Sequence, residues 1–177
     1  MVRTSLLIVG AIPVIFAILI AASLLMQHEI PFTAVVPNDK ITIEYTKYQI
    51  KLVSFGITNS TGSQYTEILT ITDDGKINYN VVDAGYSKPD KKSQLTAEQL
   101  SKLTALIKET GFMEIPTDSF PVRDGVDDYK KYGIKVTLNG QTQQIHWVEQ
   151  NATDKFIPPI ISMVQLELDQ IINQLIE

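Results

Sequence analysis

The chain has 177 residues, a formal net charge of −5, two histidines and no cysteine, and 44% of it is hydrophobic. Lacking cysteine, it has no disulfide framework, no thiolate nucleophile and no cysteine-based zinc site, so a domain of this size is held by its apolar core. From Glu29 onward 14 basic side chains face 20 acidic ones, about −6, which disfavours nucleic acid and a polybasic hold on anionic lipid.

No charge lies between Arg3 and Glu29. The apolar stretch Leu6 to Met26, about 21 residues, rises roughly 31 Å as a helix, against a hydrocarbon layer of about 30 Å. It reads as one transmembrane helix in which Gly10 and Pro13 are tolerated, and it provides the membrane contact. The competing reading is a cleaved signal peptide, whose apolar region is shorter. Here Leu24, Leu25 and Met26 follow the small residues Ala21 and Ser23, so a cut there would expose apolar chain. Arg3 precedes the span, and Glu29 and Asp39 come before Lys40, so the expected orientation is N-terminus in the cytoplasm and C-terminal domain outside. The expected organisation is an N-terminal transmembrane anchor at 1–28, an extended stalk at 29–40 containing Pro31 and Pro37, and an extracytoplasmic α+β domain at 41–177.

Within that domain, Ile41, Ile43 and Tyr45 alternate as in a strand, and after a slip near Thr46 the apolar positions become Tyr48, Ile50 and Leu52, which predicts a bulge. The stretch YTEILTITDDGKINYNVV predicts a hairpin. A three-residue loop, Asp73 to Gly75, puts Leu69, Ile71, Ile77, Tyr79 and Val81 on one side, with Gly75 in the left-handed conformation. GYSKPDKKSQ reads as a polar loop. Thr96 and Gln99 form a capping box for a helix with a Leu100, Leu103, Leu106 and Ile107 stripe, ended by Gly111, with Phe112 folding back onto the stripe.

EIPTDSFPVRDGVDDYKK follows as the longest irregular stretch, with two prolines and five acidic residues, and is the first candidate for a working surface. Asn139-Gly140 is the preferred two-residue hairpin turn; pairing outward from it places Tyr132, Ile134, Val136, Leu138, Ile145 and Trp147 on one face. Lys131, Lys135, Thr137, Thr142, Gln144 and His146 fall on the other, solvated face. The last helix, about Pro158 to Ile176, repeats Ile157, Ile161, Val164, Leu168, Ile171, Ile172 and Leu175 at helical spacing. The expected fold is therefore α+β: one antiparallel sheet of a strand and two hairpins, with two helices packed on one face.

The chemistry is sparse. His28 abuts the anchor and His146 lies on the solvated face beside Lys135, so no nucleophile and base pair is in view. No metal-ligand spacing, phosphate-cradling glycine loop or dinucleotide fingerprint occurs, and no cofactor is expected. Asp124, Asp127 and Asp128, and Asp73 with Asp74, could gather oxygens around calcium, but neither set has the spacing of a dedicated loop, and solvated turn chemistry explains both. Phe120 and Val122 sit within the irregular stretch, either packed back onto the sheet or projecting as a contact tip. The candidate binding residues are thus Phe120, Val122, Arg123, Asp124, Asp127 and Asp128, with no catalytic or metal-binding residue. Two glycosylation sequons, at Asn59 and Asn151, fall in predicted loops.

The strings ILTITDDGKINYN, LTAEQLSKLTALIKETGFMEI and YGIKVTLNGQTQQIHW, with the closing helix, resemble emfourin-like domains over roughly residues 41–175. That resemblance implies a small α+β fold and inhibition of protealysin-type metalloproteases. The membrane anchor and stalk depart from a free inhibitor. The functional expectation is a single-pass, membrane-anchored extracytoplasmic binding module for a protein or peptide partner, protease-inhibitor-like and not an enzyme. The alternatives are an accessory subunit of a membrane protein complex, or a hydrolase built on the acidic loop.

Overall fold

The computed structural model describes residues 35–36, 38–55, 58–117 and 120–176, and the side chains among them except those of residues 52–61. The expected transmembrane anchor and most of the expected stalk lie outside the described residues, among which no helix is long and apolar enough to cross a membrane. Nine principal elements follow in chain order. They are β1 (Ile41–Phe55), β2 (Thr58–Ile71), β3 (Lys76–Asp83), β4 (Tyr86–Ser87), β5 (Lys91–Gln94), α1 (Ala97–Glu109), β6 (Asp128–Leu138), β7 (Gln141–Val148) and α2 (Pro159–Ile176).

Alternating apolar side chains make the strands, and their registers stack the core. Tyr79, Leu69, Tyr45, Ile134 and Ile145 stand side by side across five strands, and Ile77, Ile71, Ile43 and Val136 form the next row. The antiparallel sheet runs β4-β3-β2-β1-β6-β7, with β5 also paired to β3. The helices bury their apolar stripes on this face: Leu103, Leu106 and Ile107 from α1, and Ile161, Val164, Leu168, Ile171 and Ile172 from α2. Lys102 and Glu167 bridge the two helices at 3.4 Å. This is the expected α+β arrangement of one antiparallel sheet and two helices.

The turns follow their residues. Thr72 N donates to Lys76 O at 3.0 Å, leaving the three-residue loop Asp73 to Gly75, and Gly75 has φ +79°. Asn139 and Gly140, with φ of 52° and 85°, form a two-residue turn that closes on the Leu138 and Gln141 pair. Thr96 Oγ1 accepts from Gln99 N at 3.1 Å while Thr96 N donates to Gln99 Oε1 at 2.9 Å, completing the capping box. Gly111 is left-handed after α1, and Phe112 is fully buried.

Four expectations are corrected. The register irregularity lies between Gln49 and Ile50, where β2 contributes the extra residue Gln64, and not near Thr46. Uninterrupted alternation therefore puts Lys47 on the helix-covered face and Tyr48 and Ile50 on the other, because acidic partners on that face neutralise the lysine. The polar stretch after β3 is not all loop. Ala84 and Gly85 turn the chain with positive φ, and β4 and β5 pair with β3 although their side chains are exposed. Asn59 lies in β2, not in a loop, since β1 and β2 stay paired out to Phe55 and Thr58 beyond the last β6 pair at Lys51 and Asp128. The irregular stretch ends before Asp128, which with Tyr129 and Lys130 belongs to β6.

Where the chain enters the sheet, the end of the expected stalk is folded onto the domain. Asp39 N donates to Val36 O, and the Asp39 carboxylate accepts from Val36 N, Asn139 Nδ2 and Lys108 Nζ, each at 2.8 Å. One carboxylate thus ties the start of β1 to the β6-β7 turn and to the last turn of α1.

Candidate functional site

The loop singled out by the sequence is pinned, not free. Arg123 N donates to Ala152 O at 2.8 Å, its guanidinium donates to Asn151 O at 3.0 Å, and Asp154 stands 3.6 Å away. This arginine therefore fastens the loop to the short 3-10 turn Gln150–Ala152 that follows β7. Gly125, at φ +81°, lets the chain reverse, with Val126 N donating to Arg123 O at 3.3 Å. Asp124 and Asp127 are exposed, and Asp128 accepts from Gln49 Nε2 at 2.5 Å on β1. These acids do not converge: among the described residues no three His, Asp or Glu side chains stand close enough to hold a metal ion. Val122 is half-buried. So is Phe120, which with Thr117 walls a cleft of about 280 Å³ against Lys131, Gln144, His146 and Val148. Asn151, the second sequon residue, is exposed.

Beside that 3-10 turn lies a larger groove, of about 640 Å³, lined in part by Glu149 and Gln150. Tyr132 and Trp147, paired across β6 and β7, stack at its floor with ring centroids 5.4 Å apart and planes 18° from parallel. Phe156, Met163 and Leu166 stand at its wall with 75%, 48% and 60% of their surfaces exposed. Soluble domains place single apolar residues on the surface freely, but three large ones around one aromatic floor form a contiguous apolar concavity. Sequence reasoning missed these three residues. Their signal is that Met163 and Leu166 are apolar residues in the first half of α2 left off its core stripe, while Phe156 precedes the first turn with no inward register.

Between the sheet and α2 sits a compact charged cluster. Lys47 Nζ lies 2.7 Å from Glu67 and 3.2 Å from Asp169, Tyr45 Oη donates to Asp169 at 3.1 Å, and Tyr79 Oη donates to Glu67 at 2.9 Å. Burial, then the neighbouring Asp169 carboxylate, pushes the Tyr45 phenol well above its ordinary value, and burial with Glu67 does the same to Tyr79. Tyr132 is pushed up to about 12 by burial and by the charges of Glu149 and Asp169. Burial acts downward on Lys47, but the hydrogen bond to Glu67 and the charges of Asp169 and Glu67 outweigh it, so its pKa is raised. The Tyr45 and Tyr79 phenols stay protonated and donate, and the Asp169 and Glu67 carboxylates accept from inside the domain. The cluster ties β1, β2, β3 and α2 together, and its Lys47, Glu67 and Asp169 border a cleft of about 150 Å³ that Tyr65, Lys130 and Tyr132 also line.

His146 is on the outer face as expected, but its neighbours differ. It faces Gly133 across the ladder, lies 3.0 Å from the Gln144 amide, and is held below the ordinary imidazole pKa by partial burial and then by Lys131. Lys135 pairs with Gln144 instead.

Models of known protein families give no match to this sequence, and no curated protein matches it significantly.

Proposed function

We propose that this chain is a single-pass membrane-anchored binding module, carried outside the cytoplasm by the Leu6 to Met26 span, which captures a protein or peptide in the manner of a protease inhibitor and performs no catalysis. The observation that supports the binding reading is the groove of Phe156, Met163 and Leu166 over the stacked Tyr132 and Trp147. The groove and the Arg123-pinned loop adjoin the same 3-10 turn, so both occupy one end of the domain. The chain enters at the other end: Ile41 pairs with Leu138, seven strand residues or roughly 24 Å from Lys131. An apolar groove with a polar rim of Glu149, Gln150 and Gln165 suits an aromatic or aliphatic anchor residue from a partner.

A photo-crosslinking residue in place of Phe156, in the full chain in its native membrane, should yield one discrete adduct, and Leu166→Asp should abolish it. The same label at Tyr86, equally exposed on the opposite sheet edge, should yield none. Equal yields at both sites, or no adduct at Phe156, would refute the groove. The anchor is tested separately: the chain should resist carbonate extraction, and protease added outside wall-stripped cells should digest the domain. Release by carbonate, or protection from protease, would refute it.

A further inference from the structure

The two edges of the sheet are finished differently. Beyond β3, the outermost strands β4 and β5 are two and four residues long and fully exposed, and Lys88, Pro89, Lys91 and Lys92 run through this edge. Short, lysine-rich, proline-broken edges resist further pairing. At the other edge β7, QTQQIHWV, has eight residues with no charge, proline or glycine, and pairs with β6 without a register shift.

The phase of the β6-β7 ladder fixes which backbone groups face outward. Glu149 N donates to Lys130 O at 3.0 Å, and the Asn139-Gly140 turn closes on Leu138 and Gln141, so Gln141, Gln143, Ile145 and Trp147 exchange their bonds with β6. The N–H and C=O groups of Thr142, Gln144, His146 and Val148 therefore point out of the sheet. Among the described residues no backbone partner meets them. The 2.9 Å contact between the Thr137 and Thr142 hydroxyls fits this phase, since the closer, non-bonded pairs bring side chains together.

We infer that this edge takes an extended segment of a partner protein, bearing a carboxylate side chain, as an added strand. The inference rests on the binding-module reading and names the chemistry of its partner. Two features select the occupant. The chain ahead of β6 comes up to β7 near both of its ends, where the Gln143 side-chain amide donates to Ile115 O and Arg123 N donates to Ala152 O. With Thr117 and Phe120 standing across a cleft of about 280 Å³ from Gln144 to Val148, that half of the strand has room for a short extended segment, while a second folded sheet edge meets these flanking segments. A β7-to-β7 pair of copies is thus disfavoured. At the wall of the cleft, Lys131 has no carboxylate partner among the described residues, which favours an acidic side chain opposite it.

The test uses the full chain in mild detergent, panned against a displayed library of random decapeptides, with the enriched sequences then synthesised. Enriched peptides should carry Asp or Glu, and Lys131→Ala should remove that preference. N-methylation of alternate peptide amides should weaken binding at least tenfold, while methylation of the intervening ones changes it less than twofold, the signature of a strand. Binding should slow hydrogen exchange at Gln144, His146 and Val148, where Ile145 and Trp147 are already slow. His146→Pro, which removes an outward N–H and no ladder bond, should also cost at least tenfold. Should that variant misfold, the methylation scan decides alone. No enrichment over an unrelated membrane protein, or methylation effects without a period of two, overturns the inference. Protection appearing at Met163 and Leu166 in place of β7 overturns it too, while leaving the binding-module reading intact. Dimers in sedimentation that His146→Pro dissolves would make a second copy the occupant and likewise overturn it.

Discussion

Replacing Asp39 by Asn removes one carboxylate on which β1, the β6-β7 turn and α1 converge. Its side chain is 6% exposed, and the Lys108, Asn139 and Val36 donors hold its pKa down to about 2 from 3.8. A lowering of nearly two units, at about 1.4 kcal/mol each, is worth about 2 kcal/mol of folding free energy. Lys108 is partly open to solvent, and screening there reduces the expected cost to about 1–2 kcal/mol. The sign follows from the direction of the shift. The folded value lies below the unfolded one, so the stabilisation is complete above about pH 4 and is lost as the pH falls through about 2. Urea unfolding of the full chain and of Asp39→Asn, compared at pH 7, 5, 3 and 2, should show a gap of about 1–2 kcal/mol at pH 7 and 5 that closes towards pH 2. Subtracting one protein from the other cancels the titration of every other carboxylate. A gap that is absent at pH 7 would refute the clamp, and one equally wide at pH 2 would show that neutral hydrogen bonds hold it, not the charge.

Lys47→Met leaves Glu67 and Asp169 facing each other without their shared cation, and should cost about 2–4 kcal/mol at pH 7 in the same assay. Because the lysine pKa is raised, the wild-type contribution is fully present below about 10.5 and falls away only at higher pH, so a loss of the difference already at pH 8 would contradict the assignment. Gly133→Ala would place a Cβ 2.7 Å from His146 Nδ1 and 2.9 Å from Thr46 Oγ1, and should destabilise by about 1–3 kcal/mol. Trimming His146 to Ala should recover part of this and no more, because Thr46 is buried and cannot retreat; full recovery in the double variant would show that Thr46 imposes no constraint. Thr96→Ala removes the N-cap acceptor of α1 and should lower stability by about 1 kcal/mol, whereas Thr96→Asp should be tolerated.

The strand pattern was legible wherever a burial face and a turn agreed. Gly75 and Asn139-Gly140 each set the register of their hairpins, so Ile71 opposite Ile77 and Tyr132 opposite Trp147 could be read from the chain. The reading failed where a polar residue occupies a core-facing position or an apolar one leaves it. Lys47 interrupts the hydrophobic alternation of β1, and the sequence invites a bulge there. The residues that make the lysine acceptable, Glu67 and Asp169, are 20 and 122 positions away, and no local pattern announces them. Lys91 and Lys92 hide β5 for a different reason: an outermost strand is held by backbone bonds, which carry no side-chain signature. Arg123, chosen from the sequence as a contact residue, also fastens its loop to the Gln150–Ala152 turn through its backbone N–H and its guanidinium, a tie to residues 28 and 29 positions away that no local pattern announces.

The two ends of the domain differ in how their polar and apolar groups are partnered. At the end where the chain enters, Asn139 Oδ1 accepts from Lys40 N at 2.9 Å, Asn139 N donates to Lys40 O at 2.9 Å, and Asp39 satisfies three further donors. Polar groups there are paired within the chain, and their geometry is over-determined. At the opposite end Phe156, Met163 and Leu166 keep their apolar surface in solvent, and Gln144, His146 and Val148 turn their amides outward. Exposed apolar area costs free energy that a bound chain recovers through burial, and edge amides that exchange water for a partner's carbonyls add a net gain of about 1 kcal/mol per hydrogen bond. Trp147 lines both clefts, so a partner whose extended segment pairs with β7 and whose next residues carry an aromatic anchor could reach both. Binding through both should be tighter than through either alone by more than the two separate affinities suggest, since the second contact forms within the first complex. A peptide joining the two elements by a linker too short to span Val148 and Phe156 should lose that gain while keeping each single contact.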